Sequence, residues 1–166
     1  MDQNLDWKTG IQGFLSYLRL ERGLSEHSLD AYQLDVLKLA QYSQLQSPPL
    51  KIATLSVDEL ESFLAYLHEI GMGAASQARI LSGIRAFFKY CILEGIRNDN
   101  PAGILEGPRQ ARTLPDVLDP DEIITILDAI DLSAPQGHRN RAIIEVLYAS
   151  GLRVSELINL KLSNLF

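Results

Sequence analysis

Apolar side chains recur at helical spacing in almost every segment of this chain, and that periodicity constrains the fold more than any other feature. Trp7, Ile11, Phe14, Leu15 and Leu18 stand four, three, one and three residues apart. This spacing lines them along one face of a helix and would scatter them over both faces of a strand. Gly23 closes that helix, and Ser25 is a good N-cap for a second one reaching about Tyr42, with Leu29, Tyr32, Val36, Leu39 and Ala40 inward. Ser47-Pro48-Pro49 breaks the pattern. Ser56 and Glu59 then have the spacing of a capping box for a third helix carrying Leu60, Phe63, Leu64 and Leu67, stopped by Gly71 and Gly73. A fourth helix is expected from about Ser76 to Glu94, ending at Gly95. Four helices joined by short connections predict one compact helical domain over residues 1–97.

The next stretch loses the periodicity. Residues 98–118 hold Pro101, Gly103, Gly107, Pro108 and Pro115, with Arg109 and Arg112 adding basic character. This composition predicts an interdomain linker. A second set of helices follows over 119–166. Asp119 suits an N-cap, Pro120 the first helical position and Glu122 the third, ahead of Ile123, Ile124, Ile126, Leu127 and Ile130. A further helix is expected over about 139–150 with Ile143, Ile144 and Leu147 inward, closed by Gly151. A last one begins near Arg153 and carries Leu157, Ile158 and Leu160. No hairpin signal and no internal repeat stands out, so the fold class is mainly α. Three short helices are near the lower limit for an independent core. They read as the first part of a second domain belonging to a longer protein.

Composition narrows the functional classes. Cys91 is the only cysteine, which excludes a disulfide scaffold and a Cys-rich zinc site and fits a reducing compartment. The histidines His27, His68 and His138 are scattered without metal-ligand spacing, so no metal is expected. No apolar run approaches the roughly 18 residues of a membrane span, and the acidic start Met1–Lys8 lacks the pattern of a secretory signal. Fifteen basic against 21 acidic residues leave a net charge of −6. That balance argues against coating nucleic acid through bulk charge, and charge has to be read segment by segment.

The fourth helix is the local exception. On a helical wheel Ile80, Leu81, Ile84, Phe87, Phe88, Cys91 and Ile92 share one side, while Arg79, Ser82, Arg85 and Lys89 fall on the other. Residues 71–97 carry Arg79, Arg85, Lys89 and Arg97 against the single acid Glu94, a local balance of +3. Such a stripe suits a phosphate backbone or a major groove. A solvated helix face is the plainer alternative.

The sharpest local feature is Gly151-Leu152-Arg153, which sets an arginine at a helix start just past a glycine break. A guanidinium there can hold a phosphate by two hydrogen bonds, and Glu156 lies near enough to orient it. The residues alone fit equally an Arg–Glu pair that stabilises the helix start.

The string Val146-Leu147-Tyr148-Ala149-Ser150-Gly151-Leu152-Arg153-Val154-Ser155-Glu156-Leu157 resembles the first catalytic-arginine motif of tyrosine site-specific recombinases, the phage integrase-like family, and its bacterial Xer branch in particular. Gly23-Leu24-Ser25-Glu26-His27-Ser28-Leu29-Asp30-Ala31-Tyr32 resembles the second-helix motif of the family's DNA-binding domain, and Ala78 to Phe88 its fourth-helix motif. Asn100-Pro101-Ala102 and Leu114-Pro115 resemble its linker. The resemblance implies a four-helix SAM-like core-binding domain followed by the first helices of a mostly α-helical catalytic domain. The two domains would clamp duplex DNA. It implies strand cleavage by a tyrosine through a 3′-phosphotyrosyl intermediate, which stores the bond energy covalently and needs neither metal nor cofactor. Arg153 becomes a catalytic arginine at the scissile phosphate, supported by Glu156. Arg79, Ser82, Arg85 and Lys89, with Ser28 and Tyr32 on the second helix, become the DNA-contacting candidates. The implied partners are duplex DNA at a recombination site and a second recombinase protomer, paralogue or self, in a tetrameric synapse. The implied setting is the bacterial cytoplasm and chromosome-dimer resolution.

Two departures qualify the resemblance. The family's later catalytic lysine, H-x-x-R motif and tyrosine nucleophile follow the first arginine, whereas Tyr17, Tyr32, Tyr42, Tyr66, Tyr90 and Tyr148 all precede Arg153. This chain by itself is therefore expected to be inactive. His138-Arg139-Asn140-Arg141 fits H-x-x-R but precedes Arg153 and is set aside as a decoy. Gln33 and Leu34 follow Tyr32 where close relatives often carry a basic pair, which removes charge from the expected DNA side. A mobile-element integrase or DNA invertase of the same family, a non-enzymatic helical DNA-binding protein, and a protein-interaction module are the competing readings.

Overall fold

The computed structural model describes residues 5–108 and 115–164. The chain divides into two compact units, Met1–Arg112 and Thr113–Phe166. Among the described residues all regular structure is helical.

The first unit holds four helices, α1 Trp7–Leu20, α2 Glu26–Gln44, α3 Val57–Glu69 and α4 Ala74–Leu93. Their starts are set by local chemistry. Asp6 caps α1 by accepting from Thr9 N at 2.8 Å, and Ser25 is the N-cap of α2. At α3, Ser56 Oγ accepts from Glu59 N at 3.2 Å while Glu59 Oε2 accepts from Ser56 N at 2.7 Å, the reciprocal box expected from the spacing. Gly23, Gly71 and Gly95 follow the ends of α1, α3 and α4 with φ of 61°, 81° and 68°, a conformation that strains any residue with a Cβ.

The helix α4 is central and packs against the other three. Phe14, Leu39, Phe63, Ile84, Phe87 and Phe88 have no exposed surface, and each such side chain contributes on the order of 2 kcal/mol by leaving water. The rings interlock, with Phe14 edge-on to Phe87 at 5.4 Å and Phe87 edge-on to Phe88 at 5.6 Å. The loop between α2 and α3 joins this core through Ile52 and Leu55. It is tied down by Trp7, whose indole N–H donates to the Leu50 carbonyl at 3.0 Å and lies 3.1 Å from Ser43 Oγ.

Two expectations differ from the structure here. Ile92 was placed inward by the wheel but is 38% exposed, because it lies at the edge of the buried arc. The stretch expected as a linker from residue 98 begins instead docked on the first unit. Ala102 and Leu105 are buried in its core, and Asn100 Nδ2 donates to the Arg85 carbonyl at 3.2 Å. Pro101 and the turn after it fold this segment back, which composition alone does not disclose. Residues 109–114, with Arg109 and Arg112, lie outside the described residues.

The second unit contains α5 Pro120–Asp128, α6 Gly137–Ser150, α7 Val154–Ile158 and a 3-10 turn Leu162–Asn164. Asp119 is the N-cap of α5, with Pro120 at the first position. Gly151 caps α6 with φ of 65°. Among the described residues of this unit only Gly137 is buried. Val117, Ile124, Tyr148, Val154 and Ile158 are all more than half exposed, so these helices enclose no core of their own.

Candidate nucleic-acid interface

Four of the residues singled out from sequence meet in one place. Ser28 and Tyr32 on α2 and Arg79 and Ser82 on α4 line a cleft of about 210 Å³, with Ala31, Asp35 and Gly83 completing it. Tyr32 is held by its ring, edge-on to Phe14 at 5.9 Å. Ser28 Oγ shares a hydrogen bond of 3.0 Å with Ser25 Oγ at the start of α2. Ser82 and Lys89 are exposed on the outer line of α4, three and ten residues beyond Arg79. The two serines, the phenol and the guanidinium form a polar, donor-rich mouth between two rigid helices.

Asp35, absent from the sequence-based candidates, is the floor of this cleft. Its side chain is 3% exposed, that of Arg79 51%, and the two pair closely. Arg79 Nη1 donates to Oδ2 at 2.9 Å and Nη2 stands 2.6 Å from Oδ1. Burial pushes the Asp35 carboxyl above the usual carboxylate range, against the pull of Arg79 and Lys38. Gly83 makes the approach possible, since a Cβ there would sit 2.5 Å from Asp35 Oδ2 and 2.7 Å from its Cβ. One sequence signal points to this acid, because Asp35 follows Tyr32 by three residues and precedes Leu39 by four, on the inward face of α2.

The other cations of the expected stripe have different roles. Arg85 is half-buried and donates to the carbonyls of Ala102, at 3.0 Å, and Leu105, so it fastens the segment after α4. Arg97 is buried and faces inward. Its Nη1 donates to the Ile52 carbonyl at 2.7 Å, its Nη2 reaches both oxygens of Asp99, and its guanidinium lies 5.3 Å from the Phe88 ring centre. The local balance of +3 therefore overstates the charge on the outer face of α4. Arg79 is paired, Arg85 and Arg97 point into the fold, and Lys89 stands exposed.

In the second unit Arg153 is the N-cap of α7 with its side chain 83% exposed. Glu156 Oε2 accepts from Arg153 N at 2.7 Å, and Oε1 accepts from Arg153 Nη1 at 3.2 Å. One carboxylate thus holds both the backbone and the guanidinium of Arg153. An exposed pair of this kind is worth only about 0.5 kcal/mol and orients the side chain without immobilising it. Arg141 of the H-x-x-R decoy is occupied by Glu145 at 2.9 Å on the same helix, and His138 is exposed. Among the described residues no group of His, Cys, Asp and Glu is arranged to hold a metal ion. No described helix is long and apolar enough to cross a membrane.

Residues 11–95 match the family model described as phage integrase, N-terminal SAM-like domain, and residues 116–166 match the phage integrase family model. Tyrosine recombinase XerD of Listeria monocytogenes serotype 4b (strain F2365) is 37% identical over 155 residues, 93% of this chain and 52% of that protein. Tyrosine recombinase XerC of Pseudomonas syringae pv. syringae (strain B728a) is 40% identical over 165 residues, 99% of this chain and 53% of that protein. The chain thus spans about half the length of the curated relatives it matches. Among solved structures, a lambda integrase tetramer bound to a Holliday junction shares the fold at a TM-score of 0.74 and 22% identity, covering 98% of this chain and 45% of that one. A lambda integrase dimer bound to a COC′ core site matches at a TM-score of 0.72 and 21% identity, covering 98% and 44%. The chain belongs to the phage integrase family.

Proposed function

We propose, with that membership as the premise, that this chain is the N-terminal part of a tyrosine site-specific recombinase and that its first unit binds duplex DNA at a recombination site. The observation that carries the reading is the cleft between α2 and α4, where Ser28, Tyr32, Arg79 and Ser82 converge from two helices beside exposed Lys89. Four hydrogen-bonding side chains on rigid elements, with a cation among them, suit the phosphates and base edges of a duplex. Arg85 is a DNA contact only through the donors its two carbonyl bonds leave over.

In the full-length protein Arg153 contacts the scissile phosphate and stabilises its developing negative charge, with Glu156 holding the guanidinium in position. A tyrosine outside this chain attacks that phosphate, and a 5′-hydroxyl of the partner strand releases it. No cofactor takes part in this scheme. A second protomer, paralogue or self, completes a tetrameric synapse, and the biological outcome is resolution of chromosome dimers in the bacterial cytoplasm. The chain alone supplies Arg153 but does not cleave. The proposed division is residues 1–97 for core binding, 98–118 for the connection and 119–166 for the start of the catalytic domain.

The test is binding of this chain, across a salt series, to a duplex carrying an Xer-type recombination site and to a scrambled duplex. Site-selective binding that weakens steeply with salt is expected. Equal binding to both duplexes, or none at low salt by a version extended to the length of the relatives, overturns the proposal.

A further inference from the structure

We infer that Asp35 is a positioning residue that aims Arg79 at a base edge, so that Arg79 serves site discrimination rather than general attraction to DNA. The inference rests on the proposed DNA-binding role of the first unit and assigns a division of labour within it. An arginine carries five N–H donors, arranged as a fork at the tip and a second fork along the Nε side. Asp35 occupies the tip, with Oδ2 2.9 Å from Nη1 and Oδ1 2.6 Å from Nη2. Among the described residues no other acceptor bonds Arg79, and its side chain is 51% exposed. The Nε fork is thus the part left for a ligand, at a cleft whose other polar walls are Ser28, Tyr32 and Ser82.

The acid is built in rather than incidental. Asp35 is 3% exposed, and it fits against α4 only because residue 83 is glycine. The pair as a whole carries no net charge. A neutralised guanidinium releases few counterions, so it adds little to salt-dependent attraction. It keeps its geometry, and an arginine fork matches the O6 and N7 acceptors of guanine in the major groove. Holding the tip also removes the rotamers that would let a free arginine follow any phosphate. Nonspecific attraction then falls to Lys89, exposed ten residues further along α4.

The experiment uses the whole chain. The wild type first selects duplexes from a randomised pool, and the selected duplex and a scrambled one are then titrated at several salt concentrations. Asp35→Asn, Arg79→Lys and the double variant are compared, with thermal melting as the check on folding. Asp35→Asn is expected to lower the ratio of selected to scrambled affinity by about tenfold or more, to tighten binding to the scrambled duplex, and to steepen the salt dependence by about one ion. Arg79→Lys keeps the charge and loses the fork, so it is expected to lose the ratio with an unchanged salt slope. In the Arg79→Lys background, Asp35→Asn is expected to change the ratio by less than about twofold, because its effect runs through Arg79. If Asp35→Asn melts early, Arg79→Lys carries the test alone. An unchanged ratio and slope in either single variant overturns the inference, as does an equal loss on both duplexes, which marks a phosphate contact. If the wild type selects no duplex, the DNA-binding reading itself fails. If it selects one and the variants match it, only the role of Asp35 fails.

Discussion

Arg97 separates a structural cation from a DNA-facing one, and its removal has a calculable cost. Its Nη1 is the donor to the carbonyl of Ile52, a residue with no exposed surface. Truncation to alanine leaves that carbonyl buried without its partner, at about 1–3 kcal/mol. The guanidinium 5.3 Å from the Phe88 ring centre contributes about 1 kcal/mol more. Asp99 is 66% exposed, so the ion pair adds only about 0.5 kcal/mol despite its two-oxygen geometry. Arg97→Ala is therefore expected to destabilise the first unit by about 2–4 kcal/mol in urea denaturation followed by circular dichroism. Arg97→Lys retains a donor but cannot serve Ile52 and both Asp99 oxygens, and should lose about 1 kcal/mol. The salt slope of DNA binding should not change in Arg97→Lys or Arg97→Gln. Lys89→Gln should show the reverse, with stability within about 0.5 kcal/mol of wild type and a slope shallower by about one ion. An Arg97→Ala variant as stable as the wild type refutes the argument, and so does a salt slope that falls on replacing Arg97 with Gln.

Two further outcomes test the packing around the site. Gly83→Ala gains about 1 kcal/mol of helix propensity, but the new Cβ would lie 2.7 Å from Asp35 Cβ, near the backbone of α2 where little can yield. A net loss of about 1–2 kcal/mol is expected in the same denaturation assay, and a variant more stable than wild type contradicts the close approach. Burial pushes the Cys91 thiol up to about 12, so maleimide at pH 8 should label it only in denaturant. Rapid labelling of the native chain contradicts its burial in the core.

The helices and their ends were legible in the sequence because their causes are local. The caps at Ser25 and Ser56 and the glycines at 23, 71 and 95 act within a few residues of where they stand. Periodicity placed Phe14, Leu39, Phe63, Ile84 and Phe88 in the core, since a helix fixes the direction of every Cβ. The arginine at the start of α7, with Glu156 beside it, was equally visible, because both partners lie within one helical turn.

Which cations face outward was decided by the tertiary structure. A wheel gives the bearing of an arginine's Cβ, but the guanidinium lies several bonds further on and takes whichever acceptor the fold supplies. For Arg79 that acceptor is Asp35, 44 residues away; for Arg85 it is Ala102, 17 away; for Arg97 it is Ile52, 45 away. None of these separations carries a sequence pattern. The sequence by itself therefore determined the helices, their buried faces and the motifs of the family. The packing of α2 on α4, and the return of residues 98–105 onto α4, determined which of four similar charges are spent inside the molecule and which remain available to a partner.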